Sequence, residues 1–278
     1  MSIKLVAIDL DGTLLNDSGK ILPKSIQSLQ AIKKLGVKVV LTTGRPLVSV
    51  KPFLDELGLD NQDDQYVITF NGSIIENTKG EVIKRKVFDF QTFVDFELWA
   101  ERHQLYNQLE TQTALYTTSN FIPIDAAHES WKNKLPMKIT TLHKLIDAPK
   151  KPEMLKIMAV ADKAKLDQIQ KNLPEVFTEK LSPIRSEPVY LDFAAPNVDK
   201  GWALKQLTEY LQLSSNEVMA LGNADNDIPM VKFAGIGVAM EKSTPNLLKV
   251  ANFVTGSNNH SGIIDAIEKF ILKNLVSK

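Results

Sequence analysis

The chain contains no cysteine. Disulfides, thiolate nucleophiles and zinc–thiolate centres are therefore excluded together. The absence suits a reducing compartment without requiring one. An excess of either charge is also missing, because 33 lysines and arginines balance 33 aspartates and glutamates. No global basic field steers the chain to nucleic acid or to an acidic membrane surface, although a local basic pocket stays compatible with this balance. Basic residues do not interleave with aromatics, so nucleic acid is not an expected partner. The histidines, His103, His128, His143 and His260, never stand in metal-ligand spacing. Each reads as polar surface or a satisfied core residue. Long apolar runs are lacking as well. Leu5-Val6-Ala7-Ile8 ends at charged Asp9, too soon for a signal-peptide core or a membrane span. The expectation is a soluble cytoplasmic protein with no membrane partner, and the pattern carries no oligomer signature.

What is present is a core-forming α/β pattern. Apolar residues make up 44% of 278 positions, enough for one large or two modest domains. Ile3 to Ile8 reads as a strand buried on both faces. Ile26, Leu29, Ile32 and Leu35 then share a helix face that stops at Gly36. Val37 to Leu41 reads as a second strand. Val50, Phe53, Leu54 and Leu57 mark a second helix closed by Gly58, and Tyr66 to Phe70 a third strand. This alternation predicts parallel strands joined by right-handed crossovers.

Ile74 to Glu76 and Val82 to Lys86 flank a turn-like tetrad, which predicts a β-hairpin. Residues 87–192 are less regular. Lys156 to Val160 and Val189 to Phe193 read as strands there, with a helix over Lys163 to Leu173. Phe88, Phe90, Phe93, Phe96 and Trp99 form an apolar stripe read first as packing, as are Tyr116, Phe121 and Trp131; part of it would otherwise line a pocket. The first rhythm returns with a helix face at Ala203, Leu204, Leu207 and Leu211. A strand follows at Val218 to Leu221, then a short helix at Ile228 to Phe233 and a strand at Ile236 to Val238. A helix opens at Thr244-Pro245, and a last one spans Ile263 to Leu272. Ser214 and Glu217 have capping-box spacing, but no helix pattern follows, so a turn is expected. Lys269, Lys273 and Lys278 read as a solvated helix face and tail. The simplest account is an α/β core over 1–86 and 193–278, interrupted by an α+β module over 87–192.

Four short elements carry chemistry. The first strand ends in Asp9-Leu10-Asp11-Gly12-Thr13, and ligands of parallel α/β sheets sit beyond the carboxyl ends of strands. Two carboxylates this close repel each other unless a cation or a shared proton relieves them. Magnesium favours such oxygen donors together with water and substrate phosphate. A solvated acidic turn is the plainer reading, but the buried strand immediately before it argues against that. The second strand ends in Thr42-Thr43-Gly44-Arg45, where hydroxyls and backbone amides can form an anion site. An ordinary polar loop would look the same in isolation. Lys200, in Asp199-Lys200-Gly201, is either surface charge or a phosphate-neutralising ammonium. Gly222-Asn223-Ala224-Asp225-Asn226-Asp227 follows the strand at Val218 to Leu221. It can complete a magnesium shell, hold a phosphate oxygen or cap the next helix.

These elements, in this order, resemble the haloacid dehalogenase superfamily. The inserted module and the Thr42-Thr43-Gly44-Arg45-Pro46 run narrow the resemblance to its Cof-type branch, most like the YidA-like sugar phosphatases. Thr69-Phe70-Asn71-Gly72, Gly235 to Met240 and Val250 to Val254 extend it over essentially the whole chain. The resemblance implies a Rossmann-like parallel-sheet core with an inserted α+β cap of the C2 type, and a Mg2+-dependent phosphatase of small phosphorylated metabolites, sugar phosphates foremost. It implies Asp9 as the nucleophile that forms an aspartyl-phosphate, and Asp11 as general acid and then base. Leu10 (through its backbone amide), Thr43, Gly44, Lys200 and Asn226 would bind phosphate. Asp9, the Asp11 carbonyl, Asn223 and Asp227 would bind metal. The inserted module would be a cap that closes and excludes water.

Two positions depart from the family pattern. Asn223 stands where relatives carry a metal-binding aspartate, which predicts weaker magnesium binding, because an amide oxygen ligates without charge. Asn258-Asn259-His260-Ser261-Gly262 stands where relatives often have an aspartate before the glycine. Two rival functions follow the same residues. One is a phosphotransferase or phosphomutase; the other is a metabolite-binding protein with weakened turnover, motivated by Asn223.

Overall fold

Leu5–Ile8 forms strand β1, and all four residues are buried. Their side chains alternate between two apolar layers. Val6 and Ile8 enter one, and Leu5 and Ala7 enter the other. This is why a strand with apolar residues at every position is stable here: each face has a helical layer to bury it. The computed structural model describes residues 2–273, so Lys278 lies outside the described residues.

After β1 come α1 (Pro23–Lys34), β2 (Lys38–Thr42), α2 (Leu47–Glu56) and β3 (Tyr66–Thr69), then the hairpin of β4 (Ile74–Asn77) and β5 (Val82–Arg85). The next stretch holds α3 (Phe90–Arg102), β6 (Tyr106–Glu110), β7 (Leu115–Thr117), α4 (Ile124–Asn133), β8 (Met137–Ile139) and α5 (Leu142–Asp147). It continues through β9 (Lys156–Val160), α6 (Lys163–Lys171), α7 (Glu175–Lys180), β10 (Ser182–Glu187) and β11 (Tyr190–Ala194). The chain then forms α8 (Lys200–Tyr210), β12 (Val218–Gly222), α9 (Ile228–Phe233), β13 (Ile236–Ala239), α10 (Pro245–Val250), β14 (Phe253–Val254) and α11 (Gly262–Ile267). Ser215–Glu217 is a single 3-10 turn in which Glu217 accepts from the Ser214 backbone, as the lone capping box suggested.

Two compact units result: residues up to Lys84 with those from Lys200 onward, and Arg85–Asp199. The first contains an eight-stranded sheet in the order β14-β13-β12-β1-β2-β3-β4-β5. From β14 to β3 the neighbours are parallel, and β4 turns antiparallel to β3. Leu29 and Ile32 of α1, Val50 and Leu54 of α2, and Ile263 and Ile267 of α11 cover one face. Ala203, Leu204 and Leu207 of α8, with Met230 of α9 and Leu247 of α10, cover the other. Each of these valine, leucine, isoleucine and methionine side chains contributes about 1.5–3 kcal/mol on full burial. The last helix is less regular than its apolar spacing suggests, because π-type turns take over at Glu268–Leu272. Lys269 there lies over the Phe253 ring at 3.8 Å rather than only in solvent.

The second unit is a six-stranded sheet in the order β10-β11-β9-β6-β7-β8. Only β7–β8 is parallel. Strand β11 runs past position 192, so the boundary expected at 192/193 falls inside an element. The apolar stripe packs within this unit, where Phe96 meets Phe193 and Phe177 at ring separations of 4.6 and 5.4 Å. Phe121 and Trp131, expected to pack, are each 77% exposed. For Trp131 the reason is helical phase: α4 buries Ala126, Glu129 and Asn133, which leaves position 131 on the opposite side.

Candidate active site

The sheet register builds the site. Ile8 pairs with Leu41 on one side and with Leu221 on the other. The chain leaves the sheet at the same level on β1, β2 and β12, so three polar loops converge at one edge. Asp9 stands at the first of these tips, 6% exposed. Its backbone N–H still donates to Leu221, at 3.0 Å.

Lys200, first residue of α8, is 1% exposed. Its Nζ lies 2.6 Å from Asp9 Oδ1 and 2.6 Å from Asp227 Oδ1. Burial opposes the ammonium charge, but Asp227 and Asp9 outweigh it and hold Lys200 above its ordinary value. Asp9 is pushed up to about 7: burial is the main cause and Asp227 adds to it, while Lys200 pulls the other way. Two carboxylates against one ammonium leave this buried cluster short of positive charge.

Asp227 turns its other oxygen to the loop, where Oδ2 accepts from the N–H groups of Asn223 at 2.9 Å and Ala224 at 3.0 Å. This close folding requires Gly222, since a Cβ there would lie 2.4 Å from Asp227 Cβ. Both Asp227 oxygens are thus engaged. In this arrangement Asp227 is the partner of Lys200 and the organiser of the loop.

Arg45 grips the Asp11 carboxylate through two nitrogens, with Nε 2.9 Å from Oδ2 and Nη2 bonded to Oδ1. The guanidinium also lies 5.7 Å from the Phe53 ring centroid. Thr43 is buried, and its hydroxyl accepts from the Arg45 N–H at 3.2 Å. Leu10 is fully buried, and its carbonyl accepts from Leu15 at 2.9 Å. Asn226 donates to Asn71 Oδ1 at 3.3 Å, and its own buried Oδ1 has no hydrogen-bond partner.

Asn71 and Arg45 are site residues that the sequence reading left without a role. Asn71 follows β3, and its N–H donates to the Thr43 carbonyl at 2.9 Å. A Cβ on Gly44 would stand 3.1 Å from the Asn71 amide. The chain reaches this position through left-handed backbone at Phe70 (φ 51°) and Asn71 (φ 55°). Two successive non-glycine residues held this way are a sign of an over-determined functional turn. The Asn71-Gly72 pair at a strand end was the available signal.

The side-chain amide of Asn223 completes the arrangement. One of its two terminal atoms lies 2.9 Å from Thr13 Oγ1, 3.1 Å from Asp9 Oδ2 and 3.1 Å from the Asp11 carbonyl oxygen. Residues 9–13, 42–45 and 222–227 are therefore brought together with Lys200. The histidines are not part of this site; His103 instead contacts the Trp99 carbonyl, at 2.8 Å.

Residues 6–267 match the family of haloacid dehalogenase-like hydrolases. This chain belongs to that family. A putative phosphatase of Streptococcus pyogenes is 35% identical over 98% of this chain and 100% of its own. The 5-amino-6-(5-phospho-D-ribitylamino)uracil phosphatase YcsE of Bacillus subtilis is 29% identical over 98% of this chain and 97% of its own. A solved haloacid dehalogenase-like hydrolase from Bacteroides thetaiotaomicron superposes with a TM-score of 0.83 at 29% identity, covering 96% of this chain and 99% of that one.

In this haloacid dehalogenase-like hydrolase the donor set can be tested against magnesium. No group of three acidic, histidine or cysteine side chains suited to a metal exists among the described residues. A cation would rest on the Asp9 carboxylate, the Asp11 carbonyl and the Asn223 amide oxygen, with water and phosphate filling the shell. Neighbouring ligands on a magnesium octahedron stand roughly 2.9 Å apart, given bonds of about 2.05 Å. The two 3.1 Å separations around Asn223 suit that edge. The residues fit magnesium with one carboxylate fewer than an aspartate at this position would supply.

Asn258 donates to the Leu15 carbonyl at 2.9 Å. Asn259 exchanges two bonds with Asp17, at 3.0 and 2.9 Å. The asparagine pair fastens the segment that follows the Asp9 loop.

Proposed function

We propose that this hydrolase, a phosphatase, acts on small phosphorylated metabolites, sugar phosphates foremost, through an aspartyl-phosphate on Asp9 with Mg2+ as cofactor. The observation that carries the reading is the buried Lys200 ammonium, 2.6 Å from both Asp9 and Asp227, at an edge also formed by the Thr43–Gly44 turn. Phosphoryl transfer asks for positioning and charge neutralisation more than for covalent assistance. When bound, magnesium adds positive charge beside Asp9 and the phosphoryl oxygens.

The chain's own residues then act in two steps. An Asp9 oxygen attacks phosphorus, the bond to the ester oxygen breaks, and that oxygen takes a proton from Asp11. Water next attacks the aspartyl-phosphate, gives its proton to Asp11, and inorganic phosphate leaves with Asp9 restored. Lys200, Thr43, Gly44, Asn226 and the Leu10 amide hold the phosphoryl oxygens, and Arg45 orients Asp11. Residues 85–199 form the cap domain that selects the ester. YcsE, named for a phosphorylated ribityl compound, supports a polyol- or sugar-type phosphate as substrate class. The lack of cysteine is compatible with a reducing, cytoplasmic setting.

The test is a magnesium-supplemented screen of phosphorylated metabolites beside Asp9→Asn. Phosphate release from the native enzyme is expected to fall by ~10³-fold or more in the variant. Turnover surviving in Asp9→Asn refutes the mechanism. Phosphate passing only to a sugar acceptor identifies a phosphotransferase, and tight binding without release identifies a binding protein.

A further inference from the structure

The Asn223 amide can be seated in two ways that differ by a half-turn about χ2. With oxygen inward, only Thr13 makes a hydrogen bond, and two acceptors, Asp9 Oδ2 and the Asp11 carbonyl, face that oxygen at 3.1 Å. The outward nitrogen then meets only donors. With nitrogen inward, all three contacts become donor–acceptor pairs: 2.9 Å to Thr13 Oγ1, 3.1 Å to Asp9 Oδ2 and 3.1 Å to the Asp11 carbonyl. The Thr13 hydroxyl serves either seating, since it can donate to an oxygen or accept from a nitrogen. Acceptor-to-acceptor contacts at this distance persist only with positive charge between them.

We propose that in the metal-free enzyme the Asn223 side-chain nitrogen stands in for the cation, and that the amide turns its oxygen inward when a divalent ion binds. The identity of the ion rests on the function proposed above; the metal-free seating does not. Three features confine the change to one side-chain rotation. Asp227 Oδ2 holds the Asn223 and Ala224 N–H groups, which keeps the loop backbone in place whichever way the amide faces. Gly12 passes so near that a Cβ there would stand 2.5 Å from the amide. Thr13 remains a partner throughout. An aspartate at 223 lacks this device. It would put a further carboxylate beside Asp9, and the metal-free loop would be held apart by repulsion. The asparagine thus keeps the site assembled without metal, and binding magnesium must break two donor contacts.

The experiment uses full-length protein labelled with 15N-asparagine, with the Asn223 side-chain NH2 pair assigned by its loss in Asn223→Asp. Magnesium chloride added to EDTA-treated protein is expected to move that pair, as its hydrogens leave Asp9 and Asp11. Melting curves of the native chain, Asn223→Asp and Asn223→Leu give an independent reading. In EDTA both variants are expected to melt roughly 5 °C or more below the native chain. Magnesium is expected to restore Asn223→Asp and to leave Asn223→Leu low. By calorimetry, Asn223→Asp is expected to bind magnesium at least about tenfold more tightly than the native chain. An NH2 pair that ignores magnesium, or an Asn223→Leu protein that melts with the native chain in EDTA, overturns the proposal. Neither readout depends on phosphate release, so a wrong substrate class would show separately.

Discussion

Replacing Lys200 with methionine removes the ammonium that stands 2.6 Å from both Asp9 and Asp227. At an effective dielectric constant near 20, each charge pair at this separation is worth about 6 kcal/mol before desolvation. Taking the ammonium out of water cancels much of that gain, and removing one partner of a buried ion pair typically costs about 3–5 kcal/mol. With a shift of about 2–4 °C per kcal/mol in units of this size, Lys200→Met is expected to melt roughly 10 °C lower. The loss has a pH signature. Asp9 already stands at about 7 against an ordinary value of 3.8. An acid with a raised pKa binds its proton more tightly when folded, so its stabilisation holds at low pH and fades as pH rises through 7. Without Lys200 the Asp9 carboxyl loses the charge that pulls its pKa down and holds its proton more tightly, so the deficit is expected to be larger at pH 8 than at pH 5. The assay is scanning fluorimetry in EDTA across that range, with Asp227→Asn and the double variant to complete a cycle. The double variant is expected to recover at least ~1 kcal/mol relative to Lys200→Met alone. Additive losses, or a deficit that does not change with pH, would refute the reasoning about buried charge. Phosphatase turnover of Lys200→Met is expected to fall by ~10³-fold.

Two further outcomes test the supporting residues. Asn71→Gly relieves the left-handed backbone at φ 55° and removes the amide that meets Asn226. It is expected to melt at or slightly above the native temperature while turnover drops roughly tenfold to a hundredfold; unchanged kcat would reduce Asn71 to a turn residue. Glu76, buried on β4 and bonded to the Thr69 hydroxyl, is pushed up to about 7, chiefly by burial. Its stabilisation is complete below its ordinary value of 4.5 and is lost as pH rises through 7. Glu76→Gln is therefore expected to stabilise the protein at pH 8 by at most ~3 kcal/mol and to change little near pH 5, read from melting curves at both pH values.

The strand tips were legible because a parallel strand buried on both faces is apolar at every position, and the first polar residue after it marks the sheet edge. Asp9, Thr43 and the 222–227 loop were found that way. Lys200 read either as surface charge or as a phosphate-neutralising ammonium until the resemblance chose between them, since a lysine at a helix start is usually solvated. Its burial depends on α8 packing against α9, which no local pattern encodes. Asn71 was overlooked for the same reason: its role comes from β3 lying beside β2, and its own neighbours in sequence show only a turn. The expected packing of Trp131 failed because an aromatic side chain was weighed without its helical phase.

Residue order alone settled the alternating α/β rhythm, the order of the four motif elements and the identity of the groups at each strand tip, since buried strands and capped helices are dictated by local hydrophobic spacing. Tertiary structure decided which of those groups touch. It gave the two Asp227 oxygens to Lys200 and the loop, paired Arg45 with Asp11, and set the Asn223 amide against Asp9 and the Asp11 carbonyl. Such contacts arise when register brings distant strands to one level, and charge and donor matching across that gap is a property of the assembled sheet.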